Sequence, residues 1–224
     1  YFIIINNIIL YYSIGIMAML NIKNATDDLW SNIISNKREE KQPIAIFMMG
    51  IPASGKSTII DNFISEILLS KINKFIHIDP DIFMQIDPDY DNSKAHEFNK
   101  LGVILSSNII KKIYNYKYSF IYYGTGKNYS QYMTNINKSN KNGFFTILIN
   151  VEIEKHIAKA RASTRSRKVP DSVINNINNA LKNKHTKSKK YKDKTNFDIL
   201  SPLVDAWYRY KNDYDTELIG FNIK

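Results

Sequence analysis

The chain has 224 residues, 44% of them hydrophobic and 12% aromatic, which suits a globular α/β protein with a sizeable core. It has no cysteine, so disulfides and thiolate metal centres are excluded. The formal charge of +10 fits anionic partners, but it is carried mostly by lysine in a chain also rich in Ile, Asn and Tyr, and does not by itself indicate a nucleic-acid groove.

Residues 1–20, YFIIINNIILYYSIGIMAML, are an apolar leader. Asn6 and Asn7 interrupt it and no basic residue precedes it, so it reads as a disordered or non-native stretch rather than a membrane span, with Met17 or Met19 as the natural start. The expected location is cytoplasmic. A helix is expected from about residue 26, capped by Thr26 or Asp27, and residues 36–42 read as a solvated link. PIAIFMM (43–49) reads as a buried strand and 56–70 as a helix with Ile59, Ile60, Phe63 and Ile64 inward. A short strand at 74–78 precedes an Asp- and Pro-rich loop at 79–92. Then come a helix over 94–115, a strand over 118–124, a helix over 128–138, a strand over 144–151 and helices over 153–164 and 171–182. Residues 183–196 are a charged loop, and 205–211 and 217–223 are late strands. Strands alternating with helices predict a mostly parallel central sheet covered on both faces. Residues 21–224 are expected to form a single domain.

Gly50, Ile51, Pro52, Ala53, Ser54, Gly55, Lys56 and Ser57 satisfy G-x-x-x-x-G-K-[ST] between a strand and a helix, the phosphate loop of the P-loop NTPase fold. Successive backbone N–H groups at a helix start favour an anion. The lysine reaches phosphate, and the Ser57 hydroxyl, with Thr58 beside it, suits Mg²⁺. The expected cofactors are therefore ATP and Mg²⁺. Asp79 and Asp81 follow the second strand, where ligands gather in an open parallel sheet, and can accept a proton from an acceptor hydroxyl or bind Mg²⁺ through water. Turn chemistry is the plainer account of an Asp-Pro-Asp run. Gly124-Thr125-Gly126 ends the third strand, with Thr125 placed for a phosphate or the acceptor.

Only five of the 31 basic residues are Arg, and three of these are Arg161, Arg165 and Arg167. That clustering points to bidentate anion work from a lid near 161–170, and Arg161 and Arg165 share a face if the helix persists. The four histidines are scattered and read as structural or exposed.

The order GIPASGKST, IDPDIFMQIDPDYD, GTGK and RASTRSRKVPDSV resembles the zeta-toxin family of P-loop kinases over about residues 43–185. The resemblance implies ATP-dependent phosphorylation of a small hydroxyl acceptor, in the family the 3′-hydroxyl of the sugar in UDP-N-acetylglucosamine. It implies an antitoxin partner that blocks the nucleotide site, and toxicity to bacteria. It assigns Asp81 as general base, Lys56 and Thr125 to the loops, and Arg161 and Arg167 to the γ-phosphate, with Arg165 the competitor for either role. Where the family places two sugar-binding glutamates, this chain has Ser107 and Tyr123. A polynucleotide 5′-kinase with a nucleic-acid acceptor, and a nucleotide-binding switch without transfer, are the two other functions the residues leave open.

Overall fold

The structure is a computed structural model and describes residues 21–35, 37–92, 95–165 and 169–224, without the side chain of His96. The apolar leader of residues 1–20 lies outside the described residues, as does Arg167. No described helix is long and apolar enough to cross a membrane.

Six strands form one sheet in the order β2-β3-β1-β4-β5-β6. β1 (Ile44–Met49) lies between β3 (Phe120–Tyr123) and β4 (Phe145–Glu152), and β2 (Ile76–Ile78) pairs with β3, all in parallel. β5 (Ala206–Asn212) adds in parallel to β4, and β6 (Thr216–Ile223) closes the far edge antiparallel to β5. The run IAIFMM is apolar on both faces because β1 is covered on both faces. Ile46, Met48, Ile121, Ile147 and Ile149 pack on α2 (Lys56–Asn62) and the π-helical turn Phe63–Ile67 that prolongs it. On the other face, Phe47, Ile78, Phe120 and Leu148 pack on α4 (Ala95–Tyr116), α5 (Tyr129–Lys141) and α8 (Asn196–Leu200), with Trp30 of α1 (residues 21–34) in the same core. A third cluster joins α6 (Lys155–Ser163) and α7 (Asp171–Lys182) to Ile51 and Ile153, above the carboxyl ends of the central strands.

The expected parallel sheet with helices on both faces is the observed one. Three local readings change. The first helix is already formed at residue 21, and Thr26 lies inside it, donating its hydroxyl to the Ile22 carbonyl at 2.7 Å instead of capping. The expected loop 79–92 opens with α3 (Pro80–Phe83) and a 3₁₀ turn, Met84–Ile86. Asp79 is its N-cap and Pro80 its first residue, a start signal present in the sequence. Residues 197–203, unassigned from sequence, form with Asn196 of the expected loop the helix α8, held by a capping box between Thr195 and Asp198, and a 3₁₀ turn.

Candidate active site

The phosphate loop leaves β1 at the centre of the sheet and returns as α2. Gly50 has φ +143°, Ala53 φ +62° and Gly55 φ +86°, so the loop bends through conformations that side chains resist. A Cβ on Gly50 would sit 2.5 Å from the Val151 carbonyl oxygen, and one on Gly55 2.1 Å from Nδ2 of Asn212. Gly50 is therefore required by space as well as by φ, and Gly55 by its φ. The loop is braced from outside: Gly50 N–H donates to the Thr125 carbonyl at 3.1 Å, and Asn212 Nδ2 donates to the Ser54 carbonyl at 2.7 Å.

Lys56 curls back onto this loop. Its Nζ donates to the carbonyls of Gly50 and Ile51, each at 3.0 Å. Burial, then the charge of Arg165, lower its pKa from 10.5 to about 8, against the opposing pull of Asp79 and Asp81. The Ser57 hydroxyl is exposed and makes no hydrogen bond among the described residues, so it is available to a magnesium shell. No cluster of three or more His, Asp or Glu that could cage a metal exists among the described residues. A metal carried with the phosphates and touched by Ser57 fits that donor set. Thr58 lies one residue further along, exposed at the start of α2.

A cleft of about 770 Å³ faces the loop. One wall is Pro52 to Ser57, the other is the carboxyl ends of β2 and β3. Asp79, Asp81, Tyr122, Tyr123 and Thr125 line it, together with Arg165. The two aspartates do different jobs. Asp79 accepts from Asp81 N–H at 2.9 Å and so fixes the start of α3. Asp81, the second residue of α3 and exposed, is presented by that cap toward the cleft. Thr125 ties the far wall to the loop through its carbonyl, while its Oγ1 accepts from Lys127 N–H at 3.2 Å.

The arginines separate. α6 ends at Ser163, so Arg165 leaves the helix face that holds Arg161. Arg165 reaches the cleft. Arg161 donates to the carbonyls of Asn212, at 3.0 Å, and Asp213 in the β5–β6 hairpin. It steadies the hairpin that braces the phosphate loop, and it is not among the cleft-lining residues. Ser107 is exposed on α4 and does not line the cleft, whereas Tyr123 does. Tyr123 is stacked on His77, whose Nδ1 lies 3.0 Å from the phenol oxygen, and burial pushes the phenol above its usual range. His77 is half-buried and depressed in pKa by that burial, the structural role read from the sequence.

Sequence reasoning missed Asn99, Asn128 and Gln131, which line the cleft. It also missed Asn212, 158 positions from the carbonyl it holds. Asn128 carried a local signal, since it caps α5 by accepting from Gln131 N–H. Gly102 of α4 was missed too. A Cβ there would stand 2.2 Å from the Pro80 carbonyl oxygen, so this glycine lets α4 lie against α3 and sets where Asp81 sits. Gly102→Ala is expected to lower the midpoint of thermal unfolding, with a destabilisation of about 1–3 kcal/mol. The strain falls on α3, so it displaces Asp81 and leaves the phosphate loop in place.

The loop and the sheet order define a P-loop kinase fold. The chain belongs to the zeta-toxin family, whose profile matches residues 27–201. No curated protein matches it. Among solved structures it is similar to one from the PezAT chromosomal toxin–antitoxin system of the human pathogen Streptococcus pneumoniae. Identity is 16%, the TM-score 0.69, and the match covers 89% of this chain and 79% of that one. It is also similar to AvrRxo1-ORF1:-ORF2 solved with ATP, at 12% identity and TM-score 0.64, covering 92% of this chain and 66% of that one. At such identities the likeness bears on the fold.

Proposed function

We propose that the protein is an ATP-dependent phosphotransferase that moves the γ-phosphoryl group of ATP to a hydroxyl of a small acceptor. The observation that carries this reading is a single cleft in which the Lys56 ammonium feels the charges of Arg165, Asp79 and Asp81. ATP supplies the phosphoryl group and Mg²⁺ neutralises its oxygens when both are bound. The backbone amides from Gly50 to Lys56, with Lys56 itself, hold the triphosphate, and Ser57 and Thr58 lie at the metal position. Lys56 trades its two loop carbonyls for phosphate oxygens. Asp81 takes the proton of the acceptor hydroxyl, and Asp79 keeps it in place. Arg165 stabilises the charge that spreads over the transferring group, with the segment around it acting as the lid, and Arg161 holds the hairpin behind the loop. Thr125 and Tyr123 orient the acceptor.

Family membership supports a nucleotide sugar such as UDP-N-acetylglucosamine as acceptor, through its 3′-hydroxyl, together with an antitoxin-like partner and a cytoplasmic setting. With Tyr123 and the amides of Asn99 and Gln131 on the acceptor side, the described residues there offer neutral hydrogen-bonding groups beyond the aspartates. The test is a screen with γ-labelled ATP and Mg²⁺ against nucleotide sugars, free sugars and 5′-hydroxyl oligonucleotides. Label on a small hydroxyl acceptor supports the reading. Label on the oligonucleotide alone makes the protein a polynucleotide kinase, and nucleotide binding with no transfer to any acceptor makes it a switch.

A further inference from the structure

A second cavity, of about 500 Å³, lies apart from the phosphate cleft. Its sheet-side wall is the carboxyl ends of β4 and β5, and its roof is α7 with the start of α8. Met49 and Ile51 flank Gly50 and form part of the lining, so the cavity backs onto the phosphate loop from the side opposite α2. None of the groups assigned to phosphoryl transfer lines it apart from Ile51.

The cavity's chemistry is specific. Three acids, Glu152, Glu154 and Asp198, face three bases, Lys182, Arg209 and Lys211. The formal charges cancel, and most are already engaged. Arg209 grips one oxygen of Glu152 through Nε at 2.9 Å and Nη2 at 2.6 Å, Lys211 pairs with Asp213, and Asp198 closes the capping box with Thr195. A charged ligand therefore gains little here. What remains is a set of hydrogen-bonding atoms without partners among the described residues. Asn150 is only 7% exposed, and its Nδ2 donates to Glu152 Oε1 at 3.0 Å. Its side-chain Oδ1 accepts nothing among the described residues, and neither does Glu152 Oε2. They belong to side chains two residues apart on one strand face, joined by that hydrogen bond. Across from them, the Asn178 amide of α7 has no partner among the described residues. Leu181 and Phe197 complete an apolar bed, with Phe197 carrying the Arg209 guanidinium 5.1 Å from its ring centre.

We infer that this cavity is a binding site for a neutral, nucleoside-sized heterocycle that offers two adjacent N–H donors, as a guanine base does. Adjacent carboxylate and amide oxygens accept such an edge, and the apolar bed takes the ring face. A volume of this size holds a nucleoside. A bare sugar offers no flat face to Leu181 and Phe197, and so leaves the apolar bed unfilled. The site does not depend on the kinase reading, since it would bind its ligand whether or not the phosphate cleft transfers anything.

The test is calorimetric titration of guanosine into the full-length protein already saturated with β,γ-imido-ATP and Mg²⁺, so that the phosphate loop is filled. Saturable binding is expected, at least tenfold weaker for 1-methylguanosine, which lacks one of the two donors, and undetectable for D-ribose. Leu181→Trp, which fills the cavity, and Asn178→Leu should each weaken guanosine at least tenfold while imido-ATP affinity stays within twofold. The inference is overturned by no guanosine binding, by equal binding of 1-methylguanosine or of ribose, or by guanosine affinity that both variants leave unchanged. The methylated ligand tests the wild-type protein, so a variant that misfolds does not shield the inference.

Discussion

Asp81→Asn is expected to lower the turnover number for phosphoryl transfer about 10²–10⁴-fold, the usual contribution of a positioned general base. Nucleotide affinity should change by less than about threefold, because Asn keeps the size of the side chain and α3 keeps its cap. Asp79→Ala separates capping from chemistry. It removes the side chain that accepts from Asp81 N–H, which costs about 1 kcal/mol of local stability. It should reduce turnover less than Asp81→Asn, through displacement of Asp81. Single-turnover transfer from labelled ATP measures both. If Asp81→Asn transfers as fast as the wild type, Asp81 is not the base.

The second large effect distinguishes the arginines. Arg165→Ala should lower turnover about 10²–10³-fold, the size of loss seen when a group that stabilises transition-state charge is removed. Arg161→Ala should act differently. It releases the carbonyls of Asn212 and Asp213, loosens the hairpin that holds Ser54 through Asn212, and destabilises by about 1.5–3 kcal/mol for lost charge-assisted hydrogen bonds. Its kinetic signature is a raised KM for ATP with turnover within a few-fold. The opposite pattern, with Arg161→Ala abolishing turnover and Arg165→Ala raising only KM, would reverse the assignment.

That assignment shows where sequence stops. The phosphate loop was legible because its pattern is local: eight consecutive residues carry the turn, the lysine and the Ser57 hydroxyl. The parallel sheet was legible because strands buried on both faces read as unbroken apolar runs, as in Ile44–Met49. The choice among arginines was not, because it depends on where α6 stops. A helix continued past Ser163 would keep Arg161 and Arg165 on one face, and its actual end sends them to different partners. The resemblance placed an acceptor residue at Ser107, yet helix rotation turns that residue outward, and Asn99, two turns earlier, lines the cleft. Gly102 went unread because its role is a contact between helices, visible only once Pro80 lies against it. The cavity beneath α7 joins residues from Met49 to Lys211, and no local pattern announces it.

The central claim is that a triphosphate replaces the loop carbonyls as the partner of Lys56, and calorimetric titration of ATP with Mg²⁺ from pH 7 to pH 10 tests it directly. With the free lysine near pKa 8, the ammonium that binds phosphate is already present below pH 8 and must be formed by proton uptake above it. The account predicts affinity that is flat below pH 8 and then falls by up to about tenfold per pH unit, with protons taken up on binding, and a loss of about 10- to 100-fold at pH 7 in Lys56→Ala. Affinity that stays level to pH 10, or that survives in Lys56→Ala, would contradict it.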